Sequence, residues 1–201
     1  MPQTVFVVDD DESMRDAIAD VLEMAGRTVR KFANAAEFVE LAMTGPAGCV
    51  VLDVRMPNLD GLKLQRQLVD ADVVLPIIFV TGYADIPMSV TAMKAGAADF
   101  LTKPFREQDL LDAVTQALES ERATRAERQE LVRLHSAYAE LTDRERHILL
   151  QAAAGRLNKV IAGDLGLSEI TVKVARAQLM RKVGANSIAE LGRFAERLKL
   201  S

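Results

Sequence analysis

The residues of this chain with the most evident chemistry are carboxylates. Asp9, Asp10 and Asp11 stand in one run, Asp53 follows a second apolar stretch, Thr81 a third and Lys103 a fourth. Carboxylates crowded into one site repel one another strongly at low dielectric. A hard divalent cation relieves that repulsion, and Mg2+ is the usual occupant of open, partly hydrated oxygen sites. A carboxylate held beside such an ion can attack a phosphoryl group and become an aspartyl phosphate. The metal, the Lys103 ammonium and the Thr81 hydroxyl would then each neutralise or hydrogen-bond a phosphoryl oxygen. There is no Gly-rich phosphate loop, so the donor is expected to be an activated phosphoryl group on another molecule rather than ATP bound by this chain. The competing reading is that acidic residues at strand ends only cap the helices that follow. It suits Asp11 and Glu12, whereas agreement across Asp9, Asp10, Asp53, Thr81 and Lys103 favours chemistry.

Those residues must be brought together by the elements around them. Thr4–Val8, Val29–Phe32, Cys49–Leu52, Ile77–Val80 and Phe100–Leu101 read as short apolar strands. Between them, Ser13–Ala25, Ala35–Met43, Gly61–Val69 and Asp85–Ala95 read as helices, and a fifth starts at Glu107. Continuously apolar strands alternating with helices predict a doubly wound parallel sheet of (βα)5 type, buried on both faces. All the singled-out side chains then lie at its carboxyl edge, where open α/β sheets bind ligands.

From Glu107 to about Leu134 there is no Gly or Pro, and Ser120–Glu130 is almost wholly charged or small. This predicts that the fifth helix runs out into an exposed linker over 121–139. The remaining residues, 140–201, predict a small all-α domain of four helices. Thr142-Asp-Arg-Glu145 and Ser187-Ile-Ala-Glu190 have the capping-box form, Gly155 and Gly166 stop helices, and Ser168 caps Glu169–Val183. Two helices joined across Leu165–Ser168 have the geometry of a helix-turn-helix DNA reader. Any small helical bundle would satisfy the same pattern.

Composition narrows the classes. The 201 residues are 49% hydrophobic and 27% charged, enough for real cores and unlike a disordered chain. No apolar run approaches the ~20 residues of a membrane span, and no secretory signal is visible, so a soluble cytoplasmic protein is expected. One cysteine and two histidines leave no disulfide framework and no soft-metal cluster. Cys49 is expected to be buried, and His135 and His147 structural or exposed. Residues 1–120 hold 10 Lys/Arg against 19 Asp/Glu, whereas 140–201 hold 11 against 7. An acidic first part and a basic last part suggest different partners, a polyanion for the second.

The motifs Val-Val-Asp9-Asp10-Asp11, Val51-Leu-Asp53-Val-Arg-Met-Pro57-Asn-Leu-Asp-Gly61, Thr81-Gly and Phe100-Leu-Thr-Lys103-Pro104-Phe agree in order and spacing with one family. Residues 1–120 resemble the flavodoxin-like receiver domain of two-component response regulators. The resemblance implies that Asp53 accepts a phosphoryl group from a histidine of a sensor histidine kinase. It implies that Asp10, Asp53 and the Arg55 carbonyl bind Mg2+, with Asp9 reaching it through water. It makes Thr81 and Phe100 a switch pair and puts a cis peptide before Pro104. Arg55 and Tyr83 occupy the two positions that modulate acyl-phosphate lifetime in receivers. Both are bulky, so self-dephosphorylation should be slower than in an Arg55→Asn, Tyr83→Ala variant.

Leu141-Thr-Asp-Arg-Glu145, Asn158-Lys-Val-Ile-Ala162 and Leu167-Ser-Glu-Ile-Thr-Val-Lys173-Val resemble the LuxR-type helix-turn-helix, and the whole chain resembles the FixJ/NarL class of transcriptional regulators. The resemblance puts base reading on Lys173, Val174 and Ala177, and backbone contacts on Asn158, Lys159, Thr171, Arg176 and Lys182. Ala175 departs from the histidine frequent in relatives, which removes one possible DNA contact. The expected function is a phosphorylation-dependent, DNA-binding transcriptional regulator, an activator, with no catalytic turnover on other substrates. Its partners would be the kinase, double-stranded promoter DNA and RNA polymerase, with no membrane. A phosphorylation-driven homodimer is expected through the face of the fourth helix, fifth strand and fifth helix, carrying Met88, Ala92, Met93 and Lys94 with Arg106, Gln108 and Leu111 nearby. The alternatives are a receiver acting through protein partners with a helical assembly domain, and a metal-dependent phosphohydrolase.

Overall fold

The computed structural model describes residues 3–56, 59–82 and 86–200. Tyr83, and Asp85 at the expected start of the fourth helix, lie outside the described residues. The chain divides into two compact units, Met1–Arg125 and Ala126–Ser201.

In the first unit the strands are β1 (Thr4–Val8), β2 (Thr28–Phe32), β3 (Gly48–Asp53), the two-residue β4 (Arg55–Met56) and β5 (Leu59–Asp60), β6 (Ile77–Thr81) and β7 (Asp99–Thr102). Five of them form a parallel sheet in the order β2-β1-β3-β6-β7. The helices are α1 (Glu12–Met24), α2 (Ala35–Ala42), α3 (Gly61–Asp70), α4 (Ile86–Lys94) and α5 (Glu107–Ala139). The short antiparallel pair of β4 with β5 leads into α3 and is additional to the five expected strands.

The period of two along each strand builds two cores. Phe6, Val8, Val50, Leu52 and Phe79 face one side and pack with Phe38, Leu64, Leu68 and Ala92 from α2, α3 and α4. Val5, Val7, Cys49, Val51, Ile78 and Val80 face the other and pack with Ile18 and Leu22 of α1 and Leu110, Val114 and Leu118 of α5. Every central strand is therefore apolar on both faces, as a covered parallel sheet requires. The chain reverses direction of sheet growth between β1 and β3, which leaves a crevice at their carboxyl ends.

Two glycines are demanded by close approach. Gly48 has φ +148°, and a Cβ there would lie 1.8 Å from the Thr4 carbonyl oxygen. Gly61 opens α3 against the end of β3, where a Cβ would meet the Asp53 carbonyl oxygen at 3.1 Å and the Phe79 ring at 3.1 Å.

Residues 121–139, expected as a linker running out from the fifth helix, are mostly exposed and continue α5. α5 is helical throughout to Ala139. In the first unit Glu121 is buried, accepting from Gln3 Nε2 at 2.7 Å and pairing with Arg125. Arg125 also donates to the Pro46 carbonyl at 2.6 Å. In the second unit Leu134 joins the core, with Ala137 and Tyr138 against it. The charge-rich run carries few apolar residues: Arg125 pairs with Glu121, Arg133 with Glu130, and Leu134 is buried, whereas Val132 stays exposed.

The second unit contains α6 (Asp143–Ala153), α7 (Asn158–Leu165), α8 (Glu169–Val183) and α9 (Ile188–Arg197). Ile148, Leu149, Ile161, Val172, Leu179, Leu191 and Phe194 are among its buried side chains. Thr142 and Glu145 make the full reciprocal capping box of α6. At α9 only half of the expected box forms. Ser187 accepts from the Glu190 amide, while the Glu190 carboxylate reaches back to the Asn186 amide at 2.7 Å.

Candidate functional site

At the carboxyl edge of the sheet, Asp9 and Asp10 follow β1, Asp53 ends β3, Thr81 ends β6 and Lys103 follows β7. The register puts Asp53 beside Val80 and Thr81 beside Thr102, so these positions converge along one edge. Lys103 Nζ lies 2.8 Å from Asp9 Oδ2 and 3.4 Å from Asp53 Oδ2, binding residues 94 and 50 positions away. Its amide donates to the Thr81 carbonyl at 2.8 Å, and the Lys103–Pro104 peptide is cis. Asp9 is buried; Asp53 is half-buried; Asp10 is exposed.

Carboxylate oxygens of Asp9, Asp10 and Asp53 lie within 4.8 Å of one another. Three carboxylates against one ammonium leave two negative charges, a donor set and charge that fit a divalent, oxygen-loving ion such as Mg2+. Asp9 already accepts from the Asp11 amide at 2.9 Å through Oδ1 and from Lys103 through Oδ2. Asp53 Oδ1 accepts from the Arg55 amide at 3.2 Å. Burial pushes the Asp53 carboxyl up from its ordinary value, while the Lys103 ammonium and the Arg55 amide pull it back without cancelling the rise. For Lys103, burial works against the charged form, but the Asp9 and Asp53 carboxylates outweigh it and the ammonium titrates above its ordinary value. The cation is therefore held in place at neutral pH.

Around this centre, Asp11 does what the capping reading expects, accepting from the Ser13 and Met14 amides at the start of α1. Thr81 is buried, and Phe100 is half-buried with its ring 6.2 Å from that of Phe79. Arg55 is exposed on β4. Arg15 was not expected here, yet its guanidinium donates to the Asp9 carbonyl at 2.8 Å from one turn along α1. A basic residue six positions after Asp9 is its only signal in sequence. On the α4 side, Met93 and Lys94 are exposed and Met88 is half-buried. Ala92 is fully buried in the core, and its carbonyl accepts from Gln65 Nε2 at 3.2 Å. It must be removed from the expected surface, because the helix turns that position inward. Arg106 and Gln108 are exposed, and Leu111 packs partly against the α1–α5 core.

In the second unit Ser168 caps α8, accepting from the Thr171 amide, and the two hydroxyls lie 2.8 Å apart. Lys159, Thr171, Lys173, Val174 and Ala177 are exposed. Arg176 donates to Asn158 Oδ1 at 2.9 Å, bringing together two residues expected to contact DNA from different helices. Lys182 lies instead against Glu145 of α6, at 2.7 Å. Ala175 packs on the margin of the core rather than projecting outward. His135 and His147 are exposed, and Cys49 is fully buried, with its thiol pushed up to about 12 by burial. Among the described residues no helix is long and apolar enough to cross a membrane.

Comparison with known proteins agrees with this geometry. Residues 5–115 match the model of the response regulator receiver domain, and residues 139–195 match that of bacterial regulatory proteins of the luxR family. Nodulation protein W of Bradyrhizobium diazoefficiens is 45% identical over 197 residues, covering 98% of this chain and 87% of its own. The transcriptional regulatory protein FixJ of Rhizobium meliloti is 40% identical, covering 96% and 94%. The low-resolution structure of the response regulator StyR superposes with a TM-score of 0.91 at 44% identity, covering 98% of this chain and all of that one. The two matching families and FixJ, a transcriptional regulatory protein by name, are response regulators rather than enzymes with turnover, which sets aside the phosphohydrolase. The chain belongs to the FixJ-like response regulators, phosphorylation-dependent DNA-binding proteins in which a receiver domain is followed by a LuxR-type helix-turn-helix.

Proposed function

We propose that Asp53 is the phosphoacceptor through which a sensor histidine kinase controls promoter binding by α8. The observation that carries this reading is the convergence of Lys103 on Asp9 and Asp53 from a third strand end. One Asp53 carboxylate oxygen attacks the phosphorus of a kinase phosphohistidine. The P–N bond breaks, its electron pair leaves with the imidazole nitrogen, and an acyl phosphate remains on Asp53. Asp10, Asp53 and the Arg55 carbonyl would hold Mg2+, which supplies positive charge to the phosphoryl oxygens. Both Asp9 oxygens already accept hydrogen bonds, which supports its reaching the ion through water. Lys103, freed from part of its pairing with Asp53, would bind another phosphoryl oxygen, and the Thr81 hydroxyl would turn toward a third. Space vacated beneath Thr81 would admit the Phe100 ring, which already lies at the margin of the core.

The change would reach the face of α4, β7 and α5, where Met93, Lys94, Arg106 and Gln108 are exposed, and support a homodimer. Two copies would bring two α8 helices to paired half-sites and multiply weak individual affinities. Lys173, Val174 and Ala177 would read bases. Lys159, Thr171 and the Asn158–Arg176 pair would hold phosphates. Lys182 would act from within the protein, fixing the last turn of α8 on α6. In this division of labour residues 1–120 receive, 121–139 connect and 140–201 read DNA, with RNA polymerase recruited in the cytoplasm as the output.

Sequencing of DNA captured by the full chain, with and without acetyl phosphate, tests the reading. One sequence motif should be enriched, more strongly with the donor, and the gain should vanish in Asp53→Asn. Enrichment indifferent to the donor, or retained by Asp53→Asn, would refute it.

A further inference from the structure

α8 turns Val172, Leu179 and Val183 into the core, with Ala175 and Met180 at its margin. Ile170, Lys173, Val174 and Ala177 fall at i, i+3, i+4 and i+7, on one stripe of the helix away from Val172, and all four are exposed. Ile170 is 75% exposed and Val174 52%. A single exposed aliphatic residue is ordinary. Two of them one turn apart, flanking Lys173 on the helix that reads DNA, call for an occupant.

We infer that Ile170 is a specificity-determining residue that packs on the 5-methyl group of a thymine in the major groove, with Val174 on a second thymine methyl. The inference rests on the reading of α8 as the DNA-reading helix and deepens it. Neither side chain can donate or accept a hydrogen bond, so pressing it onto a polar base edge would strip that edge of water without return. The apolar group displayed in the major groove is the thymine methyl. The N-terminal residues of a recognition helix are the ones that approach base edges, and Ile170 is the second residue of α8, directly after the Ser168 cap and Glu169. Four residues advance the helix by about 6 Å, close to two base steps of about 3.4 Å, so the two methyls would lie about two base pairs apart. The stripe also continues through Lys173, whose ammonium suits guanine or phosphate and not an apolar protein groove. That continuity favours DNA over a protein partner as the occupant.

The test uses the full chain treated with acetyl phosphate and a duplex selected by it from a random-sequence pool. Each dT in the selected motif is replaced singly by dU, which deletes only the methyl. Wild type should lose about four-fold in affinity at two positions, the worth of one buried methyl each. Ile170→Ala should bind the dT and dU duplexes alike at one of them, and Val174→Ala at the other. Alanine is the best helix former, and the Ile170 side chain is outside the core, so the fold is kept. Lys173→Ala, as a control, should weaken binding and shift preference while keeping both methyl effects. If wild type is indifferent to every dT→dU change, or Ile170→Ala keeps both sensitivities, the inference is overturned while DNA reading stands. It is overturned equally if Ile170→Ala reads DNA as wild type does but fails to activate transcription, which would make the stripe a protein contact. If no motif is selected at all, the functional reading falls and takes the inference with it.

Discussion

Lys182 stands at the end of the reading helix with two possible duties, and its removal separates them. Its ammonium lies 2.7 Å from one Glu145 oxygen and 2.8 Å from the other, and the same carboxylate accepts from the Thr142 amide and hydroxyl at 2.9 and 3.0 Å. The Glu145 side chain is 12% exposed and that of Lys182 39%, so the pair lies between a solvated surface bridge, worth up to about 1 kcal/mol, and a charged hydrogen bond out of water, about 1.5–3 kcal/mol. Lys182→Met, which keeps the apolar stem, should destabilise the second unit by about 1 kcal/mol. Glu145→Ala also removes the reciprocal half of the α6 cap, about 1 kcal/mol more, and should cost about 2–3 kcal/mol. In the double variant about 1 kcal/mol should be recovered as coupling. Native-state hydrogen exchange of the α6 and α8 amides measures these values for the second unit alone. The hydrogen bond from Lys182, then the Thr142 amide, holds the Glu145 carboxyl below its ordinary value. A depressed acid stabilises fully above its unfolded pKa, about 4.3, and the stabilisation is lost as pH falls through the lower folded value. The difference between wild type and Lys182→Met should therefore close in acid below about pH 4.3. The salt slope of DNA binding should be the same in both proteins. A slope that falls by about one on Lys182→Met, with no coupling to Glu145, would refute this reasoning and return Lys182 to a phosphate.

Gly48→Ala should cost about 3 kcal/mol or more, because the added Cβ would lie 1.8 Å from the Thr4 carbonyl oxygen in a pair of central strands. An unchanged urea midpoint by far-ultraviolet circular dichroism would contradict the register of β1 and β3. Lys103→Met should slow phosphorylation from acetyl phosphate about 100-fold, read by intact-protein mass spectrometry, since the group that binds both Asp9 and Asp53 is gone. A rate near wild type would remove Lys103 from the chemistry. Cys49 is fully buried and its thiol pushed up to about 12, so iodoacetamide at about pH 8 should leave the folded chain unlabelled and label it fully in urea. Labelling of the folded chain would show that the sheet opens at β3.

What is legible in the sequence follows from repetition. Each central strand announces itself because both faces are apolar; Asp9, Asp53 and Thr81 sit at the carboxyl ends of three of them, and Lys103 sits at the matching place after the edge strand β7. Features without a period stay hidden. β4 and β5 are two residues each, too short to show alternation. Glu145 and Lys182 are 37 residues apart, and no local pattern says that a lysine will turn to a helix cap instead of solvent. Ala92 reads as part of an outer face because α4 carries apolar residues nearly all round, a weak amphipathic signal that leaves the inward side ambiguous. Ala175 shows the same limit with a functional edge. By sequence it is a lost DNA contact, yet its side chain lies against the core that holds Val172 and not on the stripe of Lys173 and Val174. A larger residue at 175 would first have to leave that margin or displace it before meeting a phosphate. The missing imidazole therefore bears on how α8 is seated more directly than on which bases it reads, and the reading is carried by side chains, Ile170 among them, whose direction only the folded helix reveals.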